Sequence, residues 1–334
     1  MLPASGVIRQ QGAVAKKLPP GIAIALLVVA LLPATASARA FSSKSPLNRP
    51  ISSSPAIHPK SASMVASLLA TGREGGFRVS LRQWSVPVYV ARRSTPRVRV
   101  RLTADWAPSS VMLRVPMPRR AAPDPEGDGH MAIVDPRRGC EYDFWQASKG
   151  PKGWSASWGN RIGTGSKGIF RRGLSARASG FALRAGVIFP QEMKRGRIRH
   201  ALVFAFPNVK QGGPVSPATQ SDGEESGAGA IPMGARLQLR PGLNLRALNL
   251  APWQKTIARA LKRYGMFLGD TGGTVALRAV STQSYSRNPY RGELRSKPTV
   301  ALPEVLLENM RVLRFGAQRD VRPKLLRNRC AVMR

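Results

Sequence analysis

The chain has 334 residues, 43% of them apolar, which is enough for a globular core and excludes wholesale disorder. Its 53 Lys and Arg against 17 Asp and Glu give a net charge of +36, favouring anionic partners: nucleic acid, an acidic glycan or teichoic polymer, or an anionic membrane surface. Arg outnumbers Lys 40 to 13, a ratio that base composition produces as readily as selection for an anionic ligand.

The first forty residues narrow the partner classes. Arg9, Lys16 and Lys17 precede the apolar run Gly21–Leu32, and Ala36-Ser37-Ala38 and Ala38-Arg39-Ala40 offer small-x-small cleavage sites. That order predicts a secretory signal peptide over residues 1–40. The apolar run falls well short of the roughly 20 residues a membrane-spanning helix needs, so no transmembrane segment is expected after cleavage. Export sets nucleic acid aside. It leaves a secreted or cell-envelope protein, read as a monomer, whose partner is an anionic polysaccharide or cell-wall polymer.

Residues 41–75 read as an extended Ser- and Pro-rich arm ending in a short helix, SASMVASLLATG, stopped by Gly72. Period-two patterns dominate residues 76–281. In TPRVRVRLTADW, Val98, Val100 and Leu102 share one face while Arg97, Arg99 and Arg101 share the other, predicting a half-buried strand with an arginine row toward water. HMAIVDP, RHALVFAFP, ARLQLRP and GGTVALRAV read as further strands, and Pro214–Gly234 as a polar loop. One helix, Pro252–Gly265, has Pro in its first turn, Gly at its end and an apolar stripe of Ile257, Leu261 and Tyr264. Residues 282–334 read as a linker, a second helix at Pro303–Gly316 and a tail. These elements predict a mainly β fold, a jelly-roll-like β-sandwich with one or two packed α-helices. Cys140 and Cys330 either pair in an oxidising compartment or stand as two thiols.

Six of the scarce acids fall between Asp124 and Ala147. Asp124, Glu126, Asp128 and Gly129, with Asp135 at the twelfth place, mimic the spacing of a calcium loop. The flanking VPMPRRAAP and HMAIVDP are not helical, so a polar turn competes with calcium as the reading; no other cofactor is expected. In CEYDFWQA, Glu141, Asp143 and Trp145 share one strand face. The two carboxylates then lie roughly 6–7 Å apart, which suits acid–base chemistry or glycoside cleavage as well as pairing with arginine. His130 and His200 each begin a strand and can serve as base, ligand or buried structural group. Trp145, Trp154 and Trp158 flank a Gly-rich loop, where they either stack on sugar rings or fill a core. FLGDTGGT resembles the Asp-Thr-Gly loop of aspartic proteases, but a second copy is absent, and a hairpin turn explains it.

Taken together, SPLNRPI, GDGHMAIVDP, CEYDFWQA, RIRHALVFAFPN, PATQSDG, IPMGARLQL and ARALKRYGMFLGDTGG resemble a family of secreted, mainly β-structured bacterial and fungal proteins, over roughly Ser45 to Ala279. The resemblance implies secretion and a β architecture, and brings no reaction with it. Where that family's pattern has a His after Pro-Ala-Thr, this chain has Gln220. The departure leaves His130, Tyr142, Gln220 and Arg236, with Glu141 or Asp143, as the catalytic candidates. They are similar in type to residues of jelly-roll polysaccharide lyases, in which Arg and Gln neutralise a uronate and His or Tyr moves the proton. Arg97, Arg99, Arg101, Trp145, Trp154, Trp158 and His200 are the substrate-binding candidates. The function expected is binding, with or without cleavage, of an anionic polymer; the alternative is a non-catalytic surface or structural module.

Overall fold

The computed structural model describes residues 40–334; the expected signal peptide, residues 1–40, lies outside them apart from Ala40. The described chain is mainly β and sandwich-like, with helices packed on its largest sheet. That sheet has seven strands, in the spatial order Thr299–Leu302, Phe77–Ser80, Val275–Arg278, Leu202–Phe206, Met266–Thr271, Arg236–Leu239 and Met310–Val312. Its pairing is mixed, because Phe77–Ser80 runs parallel to Val275–Arg278 and Leu202–Phe206 parallel to Met266–Thr271. Such pairs require crossover connections rather than hairpins.

Two smaller sheets complete the sandwich. One orders Val88–Val90, Met131–Asp135, Cys140–Trp145 and Trp158–Gly163; the other orders Val332–Met333, Val111–Pro116, Arg97–Leu102, Gly153–Ala156 and Ser148–Gly150. Alternation along the strands explains how they pack. Met131, Ile133, Tyr142 and Phe144 point to one side and share a core with Val100, Leu102, Met112, Val115, Trp154 and Ala156. Arg99 and Arg101 point to the other side of their strand and are exposed, as the sequence pattern predicts. Cys140 and Cys330 are disulfide-bonded, which ties the C-terminal tail to this pair of sheets.

The helix Ser61–Gly75 buries Met64, Leu68 and Thr71, and the helix Pro252–Arg263 buries Ile257, Ala258, Ala260 and Leu261 in the core of the large sheet. The second ends where expected: Gly265 adopts φ 68°, and a Cβ there would collide with the Leu237 carbonyl. Among the described residues no helix is long and apolar enough to cross a membrane.

Two expectations are corrected. The helix read over Pro303–Gly316 is a single turn, Val305–Glu308, followed by the strand Met310–Val312 paired with Leu237–Leu239. Met310 and Val312 are buried while Arg311 turns outward to Gln238, so period two prevails where a sheet edge is open. The segment after residue 281 supplies two strands to the seven-stranded sheet and one to the five-stranded sheet. Asp-Thr-Gly-Gly does not close a hairpin either. Strand Leu202–Phe206 lies between the strands on either side of that turn, and Asp270 is a buried strand residue.

Candidate functional site: a buried charged seam

The second face of the four-stranded sheet carries charge. Ala132 pairs with Asp143 and Val134 with Glu141, so alternation puts His130, Glu141 and Asp143 on one face, opposite Tyr142 and Phe144. Against that face come Arg177 and Arg184 from the loop of residues 164–189, and Asp270 and Arg278 from the large sheet. All seven side chains are buried.

Most of the charge in this seam is matched. Glu141 Oε2 meets Arg184 Nε at 2.8 Å, and its other oxygen accepts the Arg184 amide at 3.2 Å. Arg278 Nη2 meets Asp270 Oδ2 at 2.9 Å and Asp128 Oδ2 at 3.6 Å, while its Nη1 donates to the Trp84 carbonyl. Arg177 donates both terminal nitrogens to the carbonyls of Ala182, Ala185 and Leu183, and burial pulls its guanidinium down to about 10. Asp143 accepts only the Leu183 amide, at 3.0 Å, through Oδ2; its Oδ1 has no partner. Burial, and after it the neighbouring Glu141, push its carboxyl well above the usual carboxylate range. The seam thus combines the ion pairs Glu141–Arg184 and Asp270–Arg278 with an arginine, Arg177, held by backbone carbonyls and a carboxyl, Asp143, whose ionisation burial disfavours.

His130 has a defined tautomer. Its Nε2 lies 2.9 Å from the Ala176 carbonyl, an acceptor, so Nε2 carries the proton and Nδ1 presents a lone pair. Burial holds the ring below its usual value and therefore neutral. Nδ1 has no hydrogen-bond partner and sits 3.8 Å from Asp128 Oδ2. Asp128, His130 and Asp270 bring one donor atom each within 4.8 Å of one another, a nitrogen-and-oxygen set able to hold a metal ion. The Arg278 guanidinium touches both carboxylates and supplies positive charge there already. Asp128, with a side chain 32% exposed, is the member of this set that opens to solvent.

The calcium loop expected from Asp124, Glu126, Asp128 and Asp135 does not form, because its acids have other partners. Asp124 is buried and accepts the Trp84 and Ser85 amides and the Ser85 hydroxyl. Asp135 pairs with Arg97 at 2.9 Å, and Asp128 turns toward His130 and Arg278. Glu126 stays at the surface turn, half-buried, without joining them.

Nor do the catalytic candidates line one cleft. His130, Glu141 and Asp143 share the seam, but Tyr142 alternates to the opposite face, where its hydroxyl donates to the Cys330 carbonyl. Gln220 accepts the Leu174 amide at 2.8 Å and so fixes a loop. Arg236 spends its guanidinium on the Tyr264 and Arg49 carbonyls, stacked 4.9 Å over Phe267, and burial draws it down to about 10. His200 faces the Ala201 carbonyl and the Glu192 carboxylate and is buried between them.

Among the binding candidates, Trp154 and Trp158 are buried in the core between the smaller sheets and Trp145 is half-buried against it, so these rings offer no stacking platform. Large aromatics go where the most apolar surface is removed from water. The exposed tryptophans are Trp84 and Trp106, at 46% and 53%. Sequence reading passed over both, along with Arg177, Arg184 and Arg278. The acid-poor composition was the available signal: a rare carboxylate inside a strand, such as Asp270, demands a buried cation.

No protein-family model, curated protein or solved structure matches this chain. Its fold and site define a β-sandwich protein with a charged seam between two of its sheets and an exposed arginine row on strand Arg97–Leu102.

Proposed function

We propose that the chain is an exported binding protein for an anionic polysaccharide or cell-envelope polymer, engaged by the arginine face of strand Arg97–Leu102. The observation that carries this reading is the separation of charge. Asp124, Asp135, Glu141, Asp143, Glu192 and Asp270, six of the 17 acids, are buried, while Arg99 and Arg101 stand exposed on one strand face. Alternate residues of a strand lie about 6–7 Å apart, a spacing that suits regular carboxylates or sulfates, which guanidinium groups bind bidentately. Trp106, exposed on the hairpin after Arg101, packs instead against the core ring of Trp158, 5.6 Å away, and is no part of the row. The disulfide supports an oxidising compartment and therefore export. The test is calorimetric binding to heparin, polygalacturonate and teichoic polymer across a salt series. Affinity that falls with salt supports the reading, and no binding at low salt refutes it.

A second reading, cleavage of the same polymer, is favoured by the unpartnered Nδ1 of His130 beside the solvent-open Asp128. It predicts new reducing or unsaturated ends, lost in His130→Gln.

A further inference from the structure

The turn Asp135-Pro-Arg-Arg-Gly-Cys140 joins two strands of the four-stranded sheet. Arg137, Arg138 and Gly139 of this turn line a pocket of about 290 Å³ together with Arg329, which comes from the far end of the chain. Both neighbours of Arg329 are fixed. Cys330 is bonded to Cys140, and its carbonyl accepts the Tyr142 hydroxyl at 2.9 Å. Asn328 donates to the Arg161 carbonyl and accepts the Cys330 amide, each at 2.9 Å. Gly139, at φ 61°, leaves room for the incoming side chain: a Cβ there would meet Arg329 Nη2 at 3.3 Å.

Three arginines thus line one pocket to which no carboxylate-bearing residue contributes, and the Arg329 guanidinium reaches Gly139 of the turn. The acid of the same turn, Asp135, is committed: Oδ2 meets Arg97 at 2.9 Å and Oδ1 accepts the Arg138 amide at 3.3 Å. Like charges held together at one site repel, and an oxyanion between them turns that repulsion into attraction. Asp135 also ties the turn to Arg97, the first arginine of the strand that carries Arg99 and Arg101.

We propose that this pocket is a subsite for a pendant oxyanion of the bound polymer, sulfate or carboxylate, and that the Cys140–Cys330 disulfide assembles it by delivering Arg329. The proposal rests on the polymer-binding reading above and assigns a second contact to it. Reducing the disulfide would remove the covalent tie next to Arg329, loosen its placement against Arg137 and Arg138, and weaken binding while leaving Arg99 and Arg101 in place.

The experiment measures binding of the full chain to heparin and to polygalacturonate at fixed salt. It compares wild type, Arg137→Ala/Arg329→Ala, and the exposed control pair Arg287→Ala/Arg291→Ala. The subsite variant is expected to lose about tenfold in affinity and the control far less, as fits a bidentate site against diffuse charge. The polymer showing the larger loss identifies sulfate or carboxylate as the preferred group. Reduced wild type, checked for a folded state by circular dichroism, is expected to match the subsite variant. If wild type binds and the subsite variant loses no more than the control, the subsite is overturned while the polymer reading stands. If wild type binds neither polymer, both are overturned.

Discussion

Arg97 Nη2 lies 2.9 Å from Asp135 Oδ2, so the first arginine of the exposed row is anchored to a buried acid while the next two are not. One strand face therefore holds residues with two different duties. Arg97→Ala leaves Asp135 buried without its cation and is expected to cost about 1–3 kcal/mol. Arg99→Ala is expected to change stability by less than about 0.5 kcal/mol, the usual range for an exposed substitution. Urea denaturation of the two variants checks the contrast.

Arg278 is the cation between Asp270 and Asp128 and is 3% exposed. Arg278→Ala is expected to cost about 3–5 kcal/mol, the usual penalty for stranding a buried charge, out of a typical 5–15. Asp270→Asn placed in the same chain should recover part of the loss by removing the stranded carboxylate. Chemical denaturation of the single and double variants reads this directly; a double variant weaker than Arg278→Ala would contradict it.

The disulfide spans 190 residues of sequence. Chain-entropy models give a closure of that length about 5 kcal/mol, reduced by any residual structure in the unfolded chain. Urea midpoints with and without reductant are expected to separate accordingly.

Asp143 gives the protein a pH signature. Burial and Glu141 raise its folded value well above the ordinary 3.8, so the folded chain holds a proton that the unfolded chain has released. Between those two values the native state binds more protons, and stability falls as pH rises through that window. Asp143→Asn keeps an oxygen for the Leu183 amide and removes the titration. The stability difference between wild type and variant should therefore change with pH across the window and level off above it. A difference independent of pH would contradict the assignment.

Local pattern carried much of the fold. The helix Pro252–Arg263 was legible because Pro, an apolar stripe and Gly265 all agree, and the arginine row because alternation over Arg97–Leu102 is unbroken. The stretch after Pro303 was not, because Leu306, Leu307, Met310 and Val312 satisfy a helical stripe as well as a turn and strand; the open edge beside Leu237–Leu239 decided between them. The seam was legible only in part. His130, Glu141 and Asp143 lie on adjacent strands of a readable hairpin. Asp270 and Arg278 meet them through a sheet order in which Leu202–Phe206 inserts between their strands, and no local spacing encodes that. The buried tryptophans were ambiguous for a similar reason, since Gly-rich flanks fit a surface loop as well as a sheet edge.

The central claim is that exposed arginines on the Arg97–Leu102 strand hold an anionic polymer. Its most direct test is the heparin and polygalacturonate affinity of Arg99→Ala/Arg101→Ala against wild type, at low and physiological salt. The account predicts a loss of about tenfold or more at low salt, a weaker salt dependence and unchanged stability. Equal affinities and equal salt dependence in the two proteins would contradict it.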